Sequence, residues 1–341
     1  MKVLFVGGTG IISSACVALA LARSYEVSIL NRGNRPSLPT VHSIVCDIND
    51  LDTAESILAS ERWDAVVDFT VFTPEQMENR IRLFAGKVKQ YLFISSASAY
   101  EKPLRNYLIT EETPLVNPFW QYSRDKARCE AILLQASNSG QLPGTVVRPS
   151  LTYGDTHVPL VLNSWNQPYT IIDRMRRGAP VVIPGDGTSL WTVTHSSDFA
   201  KGLIGLLGNG KALGECFHIT SDEVLTWDRI FSLTARAAGV RDLAAVHIAS
   251  DFITACLPDK VGSLHGDKSV SAVFDNSKIK SFVPGFEATV SFAEGIERSV
   301  ANMDRDENLR SIDLGHNRIV DQLIAAYRSG LDAARSRFGN P

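Results

Sequence analysis

The amino-acid sequence predicts an α/β chain, a doubly wound parallel sheet followed by a smaller C-terminal lobe. Short β-branched runs alternate with helical patterns through the first 150 residues, and a glycine-rich turn joins the first run to the first helical pattern. Beyond about residue 150 the rhythm breaks, with Pro, Gly and aromatic residues crowding Pro159 to Trp191. Strict strand–helix alternation gives parallel strands covered by helices on both faces.

The expected strands are Val3 to Val6, Val27 to Leu30, Ser43 to Cys46, Ala65 to Phe69, Gln90 to Ser95 and Gly144 to Val147. Between them, helical patterns run over Ile11 to Arg23, Ala54 to Ala59, Pro74 to Ala85 and Tyr122 to Gln135. The chain is expected to rejoin the sheet through a helix at Asp198 to Leu207 and a strand at Cys216 to Ile219. This places a first domain over 1–165, rejoined around 191–220, and a second, mainly substrate-binding lobe over 166–341. The tail from Asp313 to Phe338 reads as a polar helix with no chemistry attached.

A chain of 341 residues suffices for one large core or two unequal lobes. Its formal net charge of −3 leaves no cationic surplus for a phosphate backbone, which argues against general nucleic-acid binding. Cys16, Cys46, Cys129, Cys216 and Cys256 form no C-x-x-C pair, and no His/Cys/carboxylate cluster has metal-ligand spacing. A reduced compartment and no metal are therefore expected. No apolar run approaches the roughly 18 to 20 residues of a membrane span, and the first residues lack a signal-peptide core. The expected location is cytoplasmic, away from membranes.

Gly7-Gly8-Thr9-Gly10-Ile11-Ile12-Ser13 follows the first strand and opens the first helix. Small residues there let the backbone approach a pyrophosphate seated on the helix N-terminus, with Gly7, Thr9, Gly10, Ile11 and Ile12 around it. Ser13 stands where the last glycine of G-x-G-x-x-G is usual. The pattern is weak alone and strong between a first strand and a first helix, where it marks a Rossmann-type dinucleotide site.

The end of the second strand separates the two nicotinamide dinucleotides. An acid there binds the adenosine ribose diol, whereas an Arg meets a 2′-phosphate. The sequence offers Asn31 and Arg32, with Arg35 close behind and no acid, so the cofactor is read as NAD(P), leaning to NADP. Arg32 also fits, as the lesser alternative, a solvated residue stacking on adenine. Asp47, followed by Ile48, is placed for the adenine amino group or for capping the next turn.

Tyr122 and Lys126, in Tyr122-Ser123-Arg124-Asp125-Lys126, share one helix face at i and i+4. An unperturbed phenol titrates near ~10 and is a poor base at neutral pH. A neighbouring ammonium and a cationic nicotinamide ring both favour the phenolate. Upstream, Ser96-Ala97-Ser98-Ala99-Tyr100 lies at the carboxyl end of a parallel strand, the edge where such sheets bind ligands. A hydroxyl there can hydrogen-bond a reacting substrate oxygen.

The glycine turn, SSASAY, YSRDK, VVRPSLTYGD and DGTSLWTVTHSSDFA together resemble the extended short-chain dehydrogenase/reductases of the NAD(P)-dependent epimerase/dehydratase family, over roughly residues 1 to 220. The resemblance implies Ser96, Tyr122 and Lys126 as catalytic residues. It also implies Asp68, Phe69, Thr70 and Pro149 lining the nicotinamide, and a homodimer built on a four-helix bundle. Two departures narrow the chemistry. The Asp-Glu pair of the 4,6-dehydratases is replaced by Ala97 and Ser98, and the arginine that clamps a nucleotide diphosphate is replaced by Trp191. Indole cannot stand in for a bidentate guanidinium, although Arg174, Arg176 and Arg177 lie nearby in sequence.

The expected activity is therefore an epimerase-type removal and return of hydride at a secondary alcohol of a sugar or sugar-nucleotide-like substrate. Net NADPH-dependent carbonyl reduction uses the same residues and stays open, as does RNA binding, which the resemblance implies for chloroplast relatives. His195, His265 and Lys268, in the later half, are weaker candidates for ligand contact.

Overall fold

The computed structural model describes residues 1–34 and 40–339. The chain folds as two compact units: 1–152 with 192–222 and 274–289, and 153–191 with 223–273 and 290–341. The first unit ends earlier than the expected 165, and the chain returns to it twice, once near the expected 191–220 and again over 274–289. That second return, made through Asn276 to the carbonyls of Thr220 and Ser221, carries no periodic signal in the sequence.

The first unit is a seven-stranded parallel sheet. Its elements in chain order are β1 (Lys2–Val6), α1 (Ile11–Ala22), β2 (Glu26–Asn31), β3 (His42–Val45), α2 (Leu51–Leu58), β4 (Ala65–Asp68), α3 (Pro74–Phe84) and β5 (Tyr91–Ile94). They continue with α4 (Gln121–Asn138), β6 (Gly144–Pro149), α5 (Ser196–Leu206) and β7 (Cys216–Ile219). The strand order is β7-β6-β5-β4-β1-β2-β3. The order reverses beside β1, and the crevice above that switch point is where such sheets bind ligands. Alternate residues of each strand enter opposite layers, as a period of two requires. Val3 and Phe5 pack with Cys16, Ala20 and Phe199, while Leu4 and Val6 pack with Met77, Phe84 and Leu133.

Helix starts follow local chemistry. Asp50 caps α2 by accepting from Thr53 N. Thr73 and Gln76 form a reciprocal capping box on α3, with Pro74 at its first turn.

The strand ends are aligned by register, Val6 opposite Asp68 and Asp68 opposite Phe93. Asp68 is fully buried. One carboxylate oxygen accepts from Thr70 N and Oγ1, both at 2.7 Å; the other accepts from Arg80 Nε at 3.0 Å and Tyr91 OH at 2.8 Å. Arg80, equally buried, also donates to Ile48 O at 3.2 Å and Asn49 Oδ1 at 3.0 Å. One carboxylate thus ties β4 and β5 to α3, and through Arg80 to the loop after β3.

The second unit is built around Trp191 and Trp227, whose ring centroids lie 5.3 Å apart. Their indole N–H groups donate to Val270 O and Lys268 O. Strand Val181–Pro184 pairs in parallel with Ala245–Ile248, and the helices Trp227–Ala237 and Phe292–Arg305 bury apolar faces. The final helix, Leu314–Phe338, buries Val320, Leu323 and Ile324 but exposes its last turns. All five cysteines are free thiols, and no helix of the described residues is long and apolar enough to cross a membrane.

Removing the Asp68 carboxylate leaves the Arg80 guanidinium buried and uncompensated. Asp68→Ala is expected to cost about 3–5 kcal/mol of folding stability, read as a lowered urea midpoint by circular dichroism, with Asp68→Asn milder.

Candidate active site

The glycine turn is shaped by two close approaches. Gly7 has φ +83°, and a Cβ there would lie 2.7 Å from Thr70 Cγ2; a Cβ at Gly8 would meet Ile29 at 2.9 Å. Ser13 takes up the role left by the missing glycine. Its hydroxyl donates to Gly7 O at 2.7 Å and accepts from Gly10 N at 2.8 Å, stitching the turn to α1. Thr9, Gly10, Ile11 and Ile12 remain partly exposed on this turn.

Asn31 ends β2. Its Oδ1 accepts from Gly33 N at 2.8 Å, while its Nδ2 is buried with no partner among the described residues. An orphaned donor at this point, with no acid beside it, suits an acceptor oxygen such as a ribose hydroxyl or a phosphate. Arg32 is exposed, and Arg35 lies outside the described residues. Asp47 is exposed and accepts from Asn49 N at 3.0 Å, so it closes a turn; the cap of α2 is Asp50 instead. Ile48 is buried and offers its carbonyl to Arg80. The Asp68 carboxylate points into the protein, so that residue supports the strand end from below, while Phe69 and Thr70 are partly exposed above it. Pro149 is buried at the end of β6, in register with Ile219.

Lys126 occupies the buried face of α4. Its Nζ donates to Val71 O at 2.6 Å and Ile94 O at 2.8 Å, with the rings of Phe72 and Phe93 each 4.8 Å away. Burial pushes its amine down to about 8, against partial support from Cys129, Asp68 and Glu130. An ammonium has three N–H donors, so these two carbonyls leave one for another partner. Tyr122 lies one turn earlier, half-buried between Phe72 and Trp120, with its ring 5.7 Å from Lys126 Nζ.

Ser96 opens a short turn over Ala97–Ala99. Its Oγ accepts from Ser98 N at 3.2 Å and lies 2.9 Å from Ser98 Oγ. Ser123, beside Tyr122 on α4, donates to Ser98 Oγ at 2.8 Å, and Asn117 Nδ2 donates to Ser98 O at 2.7 Å. The serine loop and the Tyr/Lys helix are thereby joined by hydroxyls.

Sequence reasoning missed the layer beneath. Glu130, four residues after Lys126, accepts from Ser95 Oγ and pairs with Arg148 Nη2 at 2.6 Å; both charges are buried. Arg148 also donates to Tyr100 OH at 3.0 Å. The phenol in turn meets His218 Nδ1 at 3.0 Å, and His218 Nε2 meets Asp275 O at 2.7 Å. The carbonyl can only accept, so His218 Nε2 carries the proton and Nδ1 accepts from Tyr100. Burial depresses the His218 imidazole to about 4, keeping it neutral. The continued i+4 spacing from Lys126 to Glu130 and the charge of Arg148 inside an apolar strand were the available signals.

The weaker candidates have local partners. His195 caps α5 by accepting from Ser197 N at 3.3 Å, His265 meets Thr254 Oγ1 at 3.0 Å, and Lys268 pairs with Asp267 at 2.6 Å. Trp191 is buried. Arg174 pairs with Asp321, Arg176 with Asp304 at 2.6 Å, and Arg177 with Asp173 at 2.7 Å, the last through Nε alone on an exposed side chain. Among the described residues no group of three or more His, Cys, Asp or Glu could hold a metal ion.

Residues 3–219 match the family described as NAD dependent epimerase/dehydratase. The chain belongs to this family. Chloroplast stem-loop binding protein of 41 kDa b from Arabidopsis thaliana is 28% identical over 261 residues, which are 72% of this chain and 65% of that protein. The chain therefore spans slightly under two thirds of that relative. The 2'-dehydrokanamycin reductase of Streptomyces kanamyceticus is 26% identical over 293 residues, 84% of this chain and 80% of the reductase. UDP-glucuronic acid 4-epimerase from Bacillus cereus, solved with UDP-glucuronic acid and NAD, has the same fold, with a TM-score of 0.71 at 20% identity over 89% of this chain and 99% of that one.

For this member of the epimerase/dehydratase family, the left-handed φ and the Thr70 contact make Gly7 intolerant of a side chain. Gly7→Ala is expected to weaken NAD(P) binding by at least about tenfold, measured by fluorescence titration, with little change in circular dichroism. Lys126 supplies a pH test. Between about 8 and its ordinary 10.5 the unfolded chain holds a proton that the folded chain has released, so this group's contribution to stability rises with pH. Relative to Lys126→Met, the parent is expected to gain about 2 kcal/mol between pH 7 and pH 10, read from paired urea midpoints.

Proposed function

We propose that the protein is an NAD(P)-dependent enzyme that removes and returns hydride at a secondary alcohol of a carbohydrate-like substrate. The observation that carries this reading is the anchoring of Lys126 by two main-chain carbonyls one turn from Tyr122, with the Ser96 loop bonded to the same helix. Bound at the glycine turn, the dinucleotide supplies the hydride acceptor and, on return, the donor. Gly7, Gly10 and the first turn of α1 would hold its pyrophosphate, and the unpartnered Asn31 Nδ2 would meet the adenosine ribose. Tyr122 takes the carbinol proton as base, Ser96 hydrogen-bonds the same oxygen, the Lys126 charge favours the phenolate, and its remaining N–H would hold the nicotinamide ribose.

The arginine pairings bear on the substrate class. With Trp191 buried and the terminal nitrogens of Arg174 and Arg176 spent on Asn317, Asp321 and Asp304, Arg177 is the one of these four side chains left to meet a diphosphate. The reading therefore favours a sugar or glycoside without a nucleotide diphosphate. Ala97 and Ser98 offer no carboxylates for dehydration.

Net carbonyl reduction with NADPH is the second reading. It is favoured by the absence of an acid beside Asn31 and Arg32, and by similarity to the 2'-dehydrokanamycin reductase across most of the chain. Stem-loop binding, named for the plant relative, has no support from a net charge of −3. A cytoplasmic homodimer is the state in which we expect the enzyme to work.

Mass spectrometry of the small molecules released on denaturing the purified protein separates these readings. Stoichiometric NAD⁺ or NADP⁺ is expected for hydride return, whereas an empty protein that binds added NADPH favours net reduction. A protein that neither carries nor binds a dinucleotide refutes both. Tyr122→Phe is expected to lower turnover roughly 10²–10⁴-fold while dinucleotide binding persists.

A further inference from the structure

We infer that Ser98 and Ser123 are positioning residues that fix the Ser96 hydroxyl as a hydrogen-bond donor toward the substrate oxygen. The inference rests on the role proposed above for Ser96 and adds two residues to which that role assigned nothing.

A serine hydroxyl has one proton to donate and two lone pairs to accept with. Ser123 is fully buried, and its single proton goes to Ser98 Oγ at 2.8 Å. Ser98 is also buried, and with the line to Ser123 taken by the Ser123 proton, its own proton has Ser96 Oγ, at 2.9 Å, as the remaining hydroxyl within reach. Ser96 Oγ already accepts from Ser98 N at 3.2 Å. Both lone pairs of Ser96 are then filled, and only its proton is left to engage a ligand. The chain of hydroxyls runs one way, from Ser123 through Ser98 to Ser96, and each donated bond polarises the next.

The loop geometry keeps these hydroxyls in register. Asn117 Nδ2 holds Ser98 O at 2.7 Å, and the neighbouring Ser95 hydroxyl is committed to Glu130 on α4. Ser123 is carried on that helix beside Tyr122. A donor-only Ser96 is matched to an oxygen gaining negative charge, as the carbinol oxygen does when Tyr122 takes its proton. It leaves proton abstraction to Tyr122 alone. Ser98 thus has a function at a position where the related dehydratases carry a carboxylate.

Neutron diffraction from deuterium-exchanged crystals of the protein with NADP⁺ reads the hydroxyl directions without a substrate. Deuterium on Ser98 Oγ directed at Ser96, with the Ser96 deuterium directed away from Ser98, is the expected result. A Ser96 deuterium lying on the line to Ser98 overturns the inference. In turnover of a panel of secondary alcohols and sugars followed at 340 nm, Ser98→Ala and Ser123→Ala are each expected to lower kcat roughly 5- to 10-fold, about one hydrogen bond to a developing charge, with KM within about twofold. Ser98→Thr, which keeps the hydroxyl, is expected to restore the rate; a threonine variant as slow as the alanine variant marks a packing effect and counts against the inference. Turnover lost in Ser96→Ala but unchanged in Ser98→Ala overturns the positioning role alone. Turnover unchanged in Ser96→Ala overturns the functional reading beneath it.

Discussion

At the carboxyl end of β4 a fully buried carboxylate accepts four hydrogen bonds from three side chains and one amide. Asp68 is costly to bury, and its cost is offset only because Arg80 is buried with it and Thr70 and Tyr91 complete its shell. Those partners come from every direction that matters to the site. Thr70 leads over Gly7, Tyr91 begins the strand that ends at the serine loop, and Arg80 reaches across to Ile48 and Asn49 after β3. The crevice above the switch point depends on this one group for its floor.

A second buried ion pair repeats the device under the other half of the site. Glu130 and Arg148 join α4 to β6, and Ser95 binds the same carboxylate just before Ser96. The extension through Tyr100 and a neutral His218 reaches the segment that returns to the sheet at Asp275. Side chains meant to act within tenths of an ångström need such support, since their own rotamers have to be locked by neighbours. The candidate active groups here sit on a helix, a strand end and a glycine turn, each tied to a buried polar hub.

Charge placement also bears on specificity. Of the arginines that sequence proximity offered as a phosphate clamp, Arg174 and Arg176 are spent on carboxylates in their own unit, Arg177 pairs through Nε alone, and Trp191 is packed on Trp227. A guanidinium already paired and hydrogen-bonded has little left to offer a ligand. The family sets the type of chemistry, and the substrate proposed above rests on these pairings.

The alternating rhythm, the glycine turn and the Tyr/Lys spacing were legible along the chain because each is local. Period two and period 3.6 appear in consecutive residues, and a tight turn needs its small residues in sequence. Ser96, Tyr122 and Lys126 could be singled out as candidates this way, and the sheet with its crossovers followed. Glu130, Arg148, Tyr100 and His218 were not, because they are partners across as many as 118 residues and meet only once β5, β6 and β7 lie side by side. Nor could the sequence show that Asp68 faces inward, that Asp50 rather than Asp47 caps α2, or that 274–289 rejoins the first unit. Local pattern decides which elements form and which side chains can do chemistry; burial and long-range pairing, which exist only in the folded chain, decide which charges are spent on structure and which are left for a ligand.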